Sequence, residues 1–225
     1  MSIALDFGAV LSEWPLLLKG LAMTAALTAV SSLCGVSLGV ACAWARVHAG
    51  GALKALVAGY VELVRNTPFI VQLFFIYFGL PGLGLRLSPE LASFLAMVVN
   101  LGAYSAEIVR AGIENTPRGQ IEAGLSLALS PVQVFLRVVL PPALQRVWPA
   151  LTSQIVIVML GSAVCGQIST QELSYAANLI QSRNFRAFEA YIAATVMYLV
   201  LAILLRRLLG WAGPRFIFGP RPAQR

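Results

Sequence analysis

Charged residues divide this chain into long apolar runs. No Asp, Glu, Lys or Arg occurs over 20–45, 66–85, 91–106, 147–171 or 190–205. A helix needs about 20 apolar residues to cross the hydrocarbon core of a bilayer. The runs therefore predict five membrane spans, at about 16–45, 56–80, 89–112, 147–168 and 188–209. The third and fifth runs hold only 16 uncharged residues, so those helices use flanking charges that snorkel toward water. Asp6 and Glu13 precede the first run where a signal peptide would carry cations, so that run is expected to stay as a span. No internal repeat or linker interrupts the pattern, and 1–225 reads as one all-α, polytopic membrane domain.

Composition agrees. The chain is 59% hydrophobic and 11% charged, against roughly 25% charged in soluble domains. The net charge is +7. Loop cations that fix membrane topology account for it better than nucleic-acid binding does. Five spans place the termini on opposite sides. One side holds 12 cations, Arg46, Lys54, Arg65, Arg110, Arg118, Arg137, Arg146, Arg206, Arg207, Arg215, Arg221 and Arg225. The other holds 4, Lys19, Arg86, Arg183 and Arg186. The positive-inside rule then puts the N-terminus outside and the C-terminus in the cytoplasm. Cys34, Cys42 and Cys165 lie in apolar runs without metal-ligand spacing and read as packing residues. His48, the single histidine, reads as a solvated loop residue.

The segment 113–146, between the third and fourth spans, carries the most information. Thr116-Pro117 suggests an N-cap with Pro at the first helical position. Ile121, Leu125 and Leu129 give one apolar face over 120–129. Ser130-Pro131-Val132-Gln133 has the capping-box pattern and opens a second helix, expected to stop at Leu140-Pro141-Pro142. Glu122 falls near the start of the first helix, where the helix dipole favours a negative charge. Such an amphipathic helix suits either a groove on a partner protein or the lipid surface.

Glu122-Ala123-Gly124, then Leu129-Ser130-Pro131 and Val139-Leu140-Pro141, resemble the EAA loop of bacterial ATP-binding cassette (ABC) importer permeases. Residues 60–68 and 72–81 resemble the second span of the polar amino acid subfamily, and 104–110 the end of its third. The likeness runs from about Leu16 to Arg207. It implies a MetI-like, type I importer permease with five spans in the bacterial inner membrane. It also implies coupling through Glu122, Ala123, Gly124, Ala128, Leu129 and Ser130 to a separate ATPase dimer. A second permease copy or paralogue and an extracytoplasmic amino-acid-binding protein would complete the assembly. In two places the chain departs from the pattern: Gly124 replaces the second Ala of the triplet, and Ala128 replaces the usual Gly. The two lysines, Lys19 and Lys54, are not followed by Ser or Thr, so the chain has no phosphate loop. It is expected to hold no cofactor, leaving ATP and Mg to the partner ATPase, and not to be an enzyme.

Gln72, Asn100 and Ser162 are polar residues inside spans. They line a substrate cavity or hydrogen-bond between helices; Tyr104 suits either role. Glu62 with Arg65, and Glu107 with Arg110, are i,i+3 pairs at span ends, expected to form a four-charge cluster as anchor or inner gate. Glu172, Arg183, Arg186 and Glu189 occupy a loop read as solvated, on the side where the resemblance places the binding protein. The competing reading is an ion-coupled secondary transporter, which would need ionisable groups at mid-membrane.

Overall fold

Small residues on one face set the packing of the first long helix. The structure, a computed structural model, describes residues 5–217; Arg221 and Arg225, counted above, lie outside them. After a single turn α1 (Gly8–Leu11), helix α2 (Trp14–His48) runs for 35 residues. Its buried face carries Gly20, Thr24, Thr28, Ser31, Gly35 and Gly39, three or four residues apart. In a membrane, where apolar surface gains little by leaving lipid, such residues let backbones approach and exchange van der Waals contact. Gly20 and Thr24 meet Leu173, while over Gly35 and Gly39 the partner is α5 (Pro89–Glu114), started by the Ser88 hydroxyl accepting from the Leu91 N–H at 3.2 Å. A Cβ at Gly35 would stand 2.9 Å from that of Leu101, so only glycine fits this crossing. α5 is the central helix, buried at Ala92, Ala96, Met97, Leu101, Ala103, Ala106 and Val109.

The second expected span is not one straight helix. α3 (Gly51–Arg65) and α4 (Phe69–Phe74) meet at a 111° bend. Pro68 lacks an N–H and disfavours helix at Thr67. The Asn66 amide and the Thr67 hydroxyl then bond back to the carbonyls of Glu62 and Leu63, both at 2.8 Å, and finish α3. Beyond α4 the chain widens into a π turn over Phe75–Gly79 and tightens into a 3₁₀ turn over Leu80–Leu83. Together with the four long apolar helices, this bent pair gives up to five crossings.

The helix that opens at Ser130 does not stop at Pro141. It continues from α7 (Pro131–Val134) through a π turn, Phe135–Val139, into α8 (Leu140–Gly161), and ends in a 3₁₀ stretch to Ile168. The prolines fall in the first turn after the wide π turn, where missing N–H groups break least of the ladder. The fourth crossing is thus continuous with the second half of the 113–146 segment. The segment before it folds as α6 (Arg118–Ser126), which packs on the π turn.

At the opposite end, the stretch read as a solvated loop contains α9 (Leu173–Asn184), packed on α2 and α10 (Ala187–Ala212). α10 is peripheral, exposing Val196, Leu199, Val200, Ile203 and Leu204. The central core gathers Leu27, Leu73, Met97, Leu101, Ile155 and Val158 from α2, α4, α5 and α8. All three cysteines are unpaired, with Cys42 and Cys165 buried.

Candidate functional site

Two places collect the predicted residues, one at the α6 end and one at the α3–α4 bend. At the first, α6 closes with a Schellman pattern: the Leu129 N–H bonds to the Gly124 carbonyl at 3.4 Å and the Ala128 N–H to that of Leu125 at 2.9 Å. Ala128 sits at φ 56°, the left-handed position where glycine is usual. Ser130 then opens α7 with both capping-box bonds, its hydroxyl accepting from the Gln133 N–H at 3.3 Å and its own N–H donating to the Gln133 side chain at 2.8 Å.

Gly124 faces inward. It is buried, and a Cβ there would meet Val134 Cγ2 at 3.2 Å. Its small size seats α6 against Val134 and Val138 of the continuous helix 131–168. Glu122, Ala123, Leu125, Ser126 and Leu127 face outward, Leu127 being 76% exposed. Glu122 lies in the middle of α6 and not in its first turn, so the dipole argument does not apply. Nor is Thr116 the cap: Pro117 occupies that position, and the Thr116 hydroxyl is buried without a partner among the described residues.

At the bend, the Asn100 side chain donates to Gln72 Oε1 at 3.0 Å. Gln72 Nε2 in turn donates to the carbonyls of Val64 and Thr67 and to the Thr67 hydroxyl, at 2.7, 3.0 and 2.9 Å. One amide thus spans the break and fixes where α4 leaves α3. Beside it is a small cavity of about 90 Å³, lined by Phe69, Asn100, Ile157, Val158 and Gly161. Tyr104, one turn along α5 from Asn100, reaches the Arg65 carbonyl at 3.5 Å, with the Arg65 guanidinium 5.6 Å from its ring centre. Ser162 is not part of this group; its hydroxyl bonds to the Met159 carbonyl at 2.6 Å.

The expected four-charge cluster takes a different membership. Glu107 bonds to Arg110 and to Arg46 of α2, at 2.7 Å for the latter, while Arg110 also pairs with Glu114 at 2.5 Å. Glu62 is exposed and enters no ion pair among the described residues. Its i,i+3 neighbour Arg65 turns to Tyr104 instead, because Tyr104 lies across the crossing of α3 and α5.

Glu172, read as solvated, is instead fully buried. Its carboxylate caps α9 through the N–H groups of Ser174 and Tyr175, at 2.9 and 2.7 Å, and accepts from the Tyr198 hydroxyl of α10 at 2.5 Å. Burial pushes this carboxyl above its ordinary range, the hydrogen bonds offsetting that only in part. Glutamate is not among the usual N-cap residues, so the sequence offered no cap signal at Glu172. Glu189, read as solvated, is also buried; it accepts from the Asp6 N–H at 3.1 Å.

The long apolar helices and the bent pair mark a polytopic membrane protein. Residues 35–218 match the binding-protein-dependent transport system inner membrane component family, and the chain belongs to it. The glutamine transport system permease protein of Escherichia coli (strain K12) is 34% identical over 206 residues, covering 91% of this chain and 94% of its own. A probable glutamine ABC transporter permease protein of Bacillus subtilis (strain 168) is 38% identical over 168 residues, covering 75% and 78%. Further relatives are named for transport of cystine, nopaline and arginine. In the crystal structure of an amino acid ABC transporter with histidines, one chain superposes with a TM-score of 0.83 at 33% identity, covering 95% of this chain and all of that one. These likenesses support the MetI-like permease reading and leave the ion-coupled one without support.

Proposed function

We propose that the chain is the permease subunit of an ABC importer for polar amino acids in a bacterial inner membrane. It pairs with a second copy or a paralogue. Two ATPase subunits, which hold ATP and Mg, dock on the exposed side of α6, and an extracytoplasmic binding protein delivers substrate at the α9 end. The N-terminus lies outside and the C-terminus in the cytoplasm. Closure of the ATPases displaces α6 and, through the strut 131–168, shifts α8 against the Gln72–Asn100 amides, opening the path alternately to each side. The relatives' printed substrates support the amino acid class.

The observation that carries this reading is the seating of α6. Its inner face is closed on Val134 and Val138 at Gly124, while Glu122, Ala123 and Leu127 stand free on the other face. Gly124→Arg would disrupt that seat and confuse folding with docking, so Ala123, exposed, is the discriminating position. In the reconstituted importer, Ala123→Arg is expected to abolish both transport and the stimulation of ATP hydrolysis by loaded binding protein, with insertion intact. Full stimulation in that variant would mean that α6 is not the coupling element.

A further inference from the structure

Where α10 leaves the membrane, a cleft of about 410 Å³ with a few polar groups in a largely apolar lining opens between it and α8, and the transport reading makes no use of it. Gln145, Trp148, Thr152 and Ser153 line it from α8, and Arg206 from α10. The Trp148 indole donates to the Leu209 carbonyl at 2.9 Å and holds the two helices at a fixed spacing there. Thr152 Oγ1 is buried and has no hydrogen-bond partner among the described residues. A buried hydroxyl without a partner is unfavourable, so this atom marks a place for one. Arg206 enters no ion pair among the described residues, and no carboxylate appears in the lining. A guanidinium fork, an amide and two hydroxyls offer donors suited to the oxygens of a phosphate.

The surroundings indicate where such a phosphate comes from. Leu199 and Ile203 lie on the Arg206 face of α10, seven and three residues nearer the membrane centre, and both are exposed. A charged cleft at the span's end, continued inward by exposed apolar side chains, matches a phospholipid with its head at the interface and its chain alongside. We infer that this cleft seats the headgroup phosphate of an anionic phospholipid from the cytoplasmic leaflet. Arg206 clasps the phosphate, and Thr152, Ser153 and Gln145 bond its oxygens or the glycerol. The inference rests on the cytoplasmic placement proposed for this end, which cysteine labelling tests separately.

The test is native mass spectrometry of the full chain, extracted with its subunits and offered equal amounts of phosphatidylglycerol and phosphatidylcholine. Wild type is expected to retain phosphatidylglycerol in preference by at least about fivefold, the ratio typical of one interfacial cation. Arg206→Gln should bring the ratio close to one, and Thr152→Val should lower it, while Arg206→Lys keeps most of it. Arg207→Gln, altering the adjacent cation outside the cleft, should lower the ratio clearly less than Arg206→Gln does. Equal losses in Arg206→Gln and Arg207→Gln would reduce the effect to diffuse surface charge and overturn the site. Displacement of the lipid by millimolar inorganic phosphate would assign the cleft to a soluble anion and overturn it as well.

Discussion

Ala128 holds a left-handed backbone at the end of α6, a conformation that costs a side-chain-bearing residue about 1 kcal/mol relative to glycine. Ala128→Gly is therefore expected to raise stability by about that amount, read as a shift in the midpoint of denaturant-induced unfolding. Gly124→Ala has two opposed effects, a gain in helix propensity of about 0.8–1 kcal/mol and a crowded contact 3.2 Å from Val134. The Gln72–Asn100 amide pair gives a second expectation at this scale. Asn100→Leu leaves Gln72 Oε1 without its donor, at a cost of about 1–3 kcal/mol. It should lower uptake while the ATPase still co-purifies. Unchanged uptake in both Asn100→Leu and Gln72→Leu would confine the pair to structural hydrogen bonding. The Ser130 cap was legible in the sequence because its partners lie within three residues. The inward turn of Gly124 was not, since it depends on Val134 and Val138 coming back against α6 after the chain reverses.

At the scale of elements, the apolar runs located the crossings but could not show how they bend or join. Pro68 signals a break, yet Pro141 and Pro142 signal one just as strongly and the helix passes through them. The difference lies in the π turn before Leu140, which no run of apolar residues announces. At the α3–α4 break, the Gln72 amide bonds to Val64 on α3 and to Thr67 within the break, so the bend should survive loss of the proline. Spin labels at Leu63 and Val71, both exposed, should report nearly the same distance in Pro68→Ala, and a longer one when Gln72→Leu is added. α9 has its own pH signature. With the Glu172 carboxyl raised by burial, the folded chain binds that proton more tightly than the unfolded one. Stability from this residue therefore increases as pH falls from the raised folded value to the ordinary glutamate value, and is lost in the opposite direction. Denaturation midpoints of Glu172→Gln measured across that window should lack this slope.

Across the whole molecule, the expected orientation rests on a count of cations rather than on contacts. A cysteine replacing Ser12, at the end of α1, is expected to react with impermeant reagents from outside, and one replacing exposed Ser126 to be protected. Reversed labelling would exchange the two docking ends. Positions of the spans, the loop carrying α6 and the Gln72–Asn100 candidates all came from local pattern. The Arg46–Glu107 pair and the Glu172–Tyr198 contact did not, each joining residues of different helices. The unbroken run Pro131–Ile168 has a further consequence. At 1.5 Å per residue, its 38 residues form a rod about 57 Å long. A rod of that length acts as a lever: a small tilt at the end gripped by α6 becomes a larger sideways sweep at the far end, near Cys165. It can flex at the π turn Phe135–Val139 and at Pro149, which lies inside α8 and lacks an N–H for the ladder, so the stiffness at those two places sets how much of a push at the base is delivered as motion and how much is absorbed as local flexing.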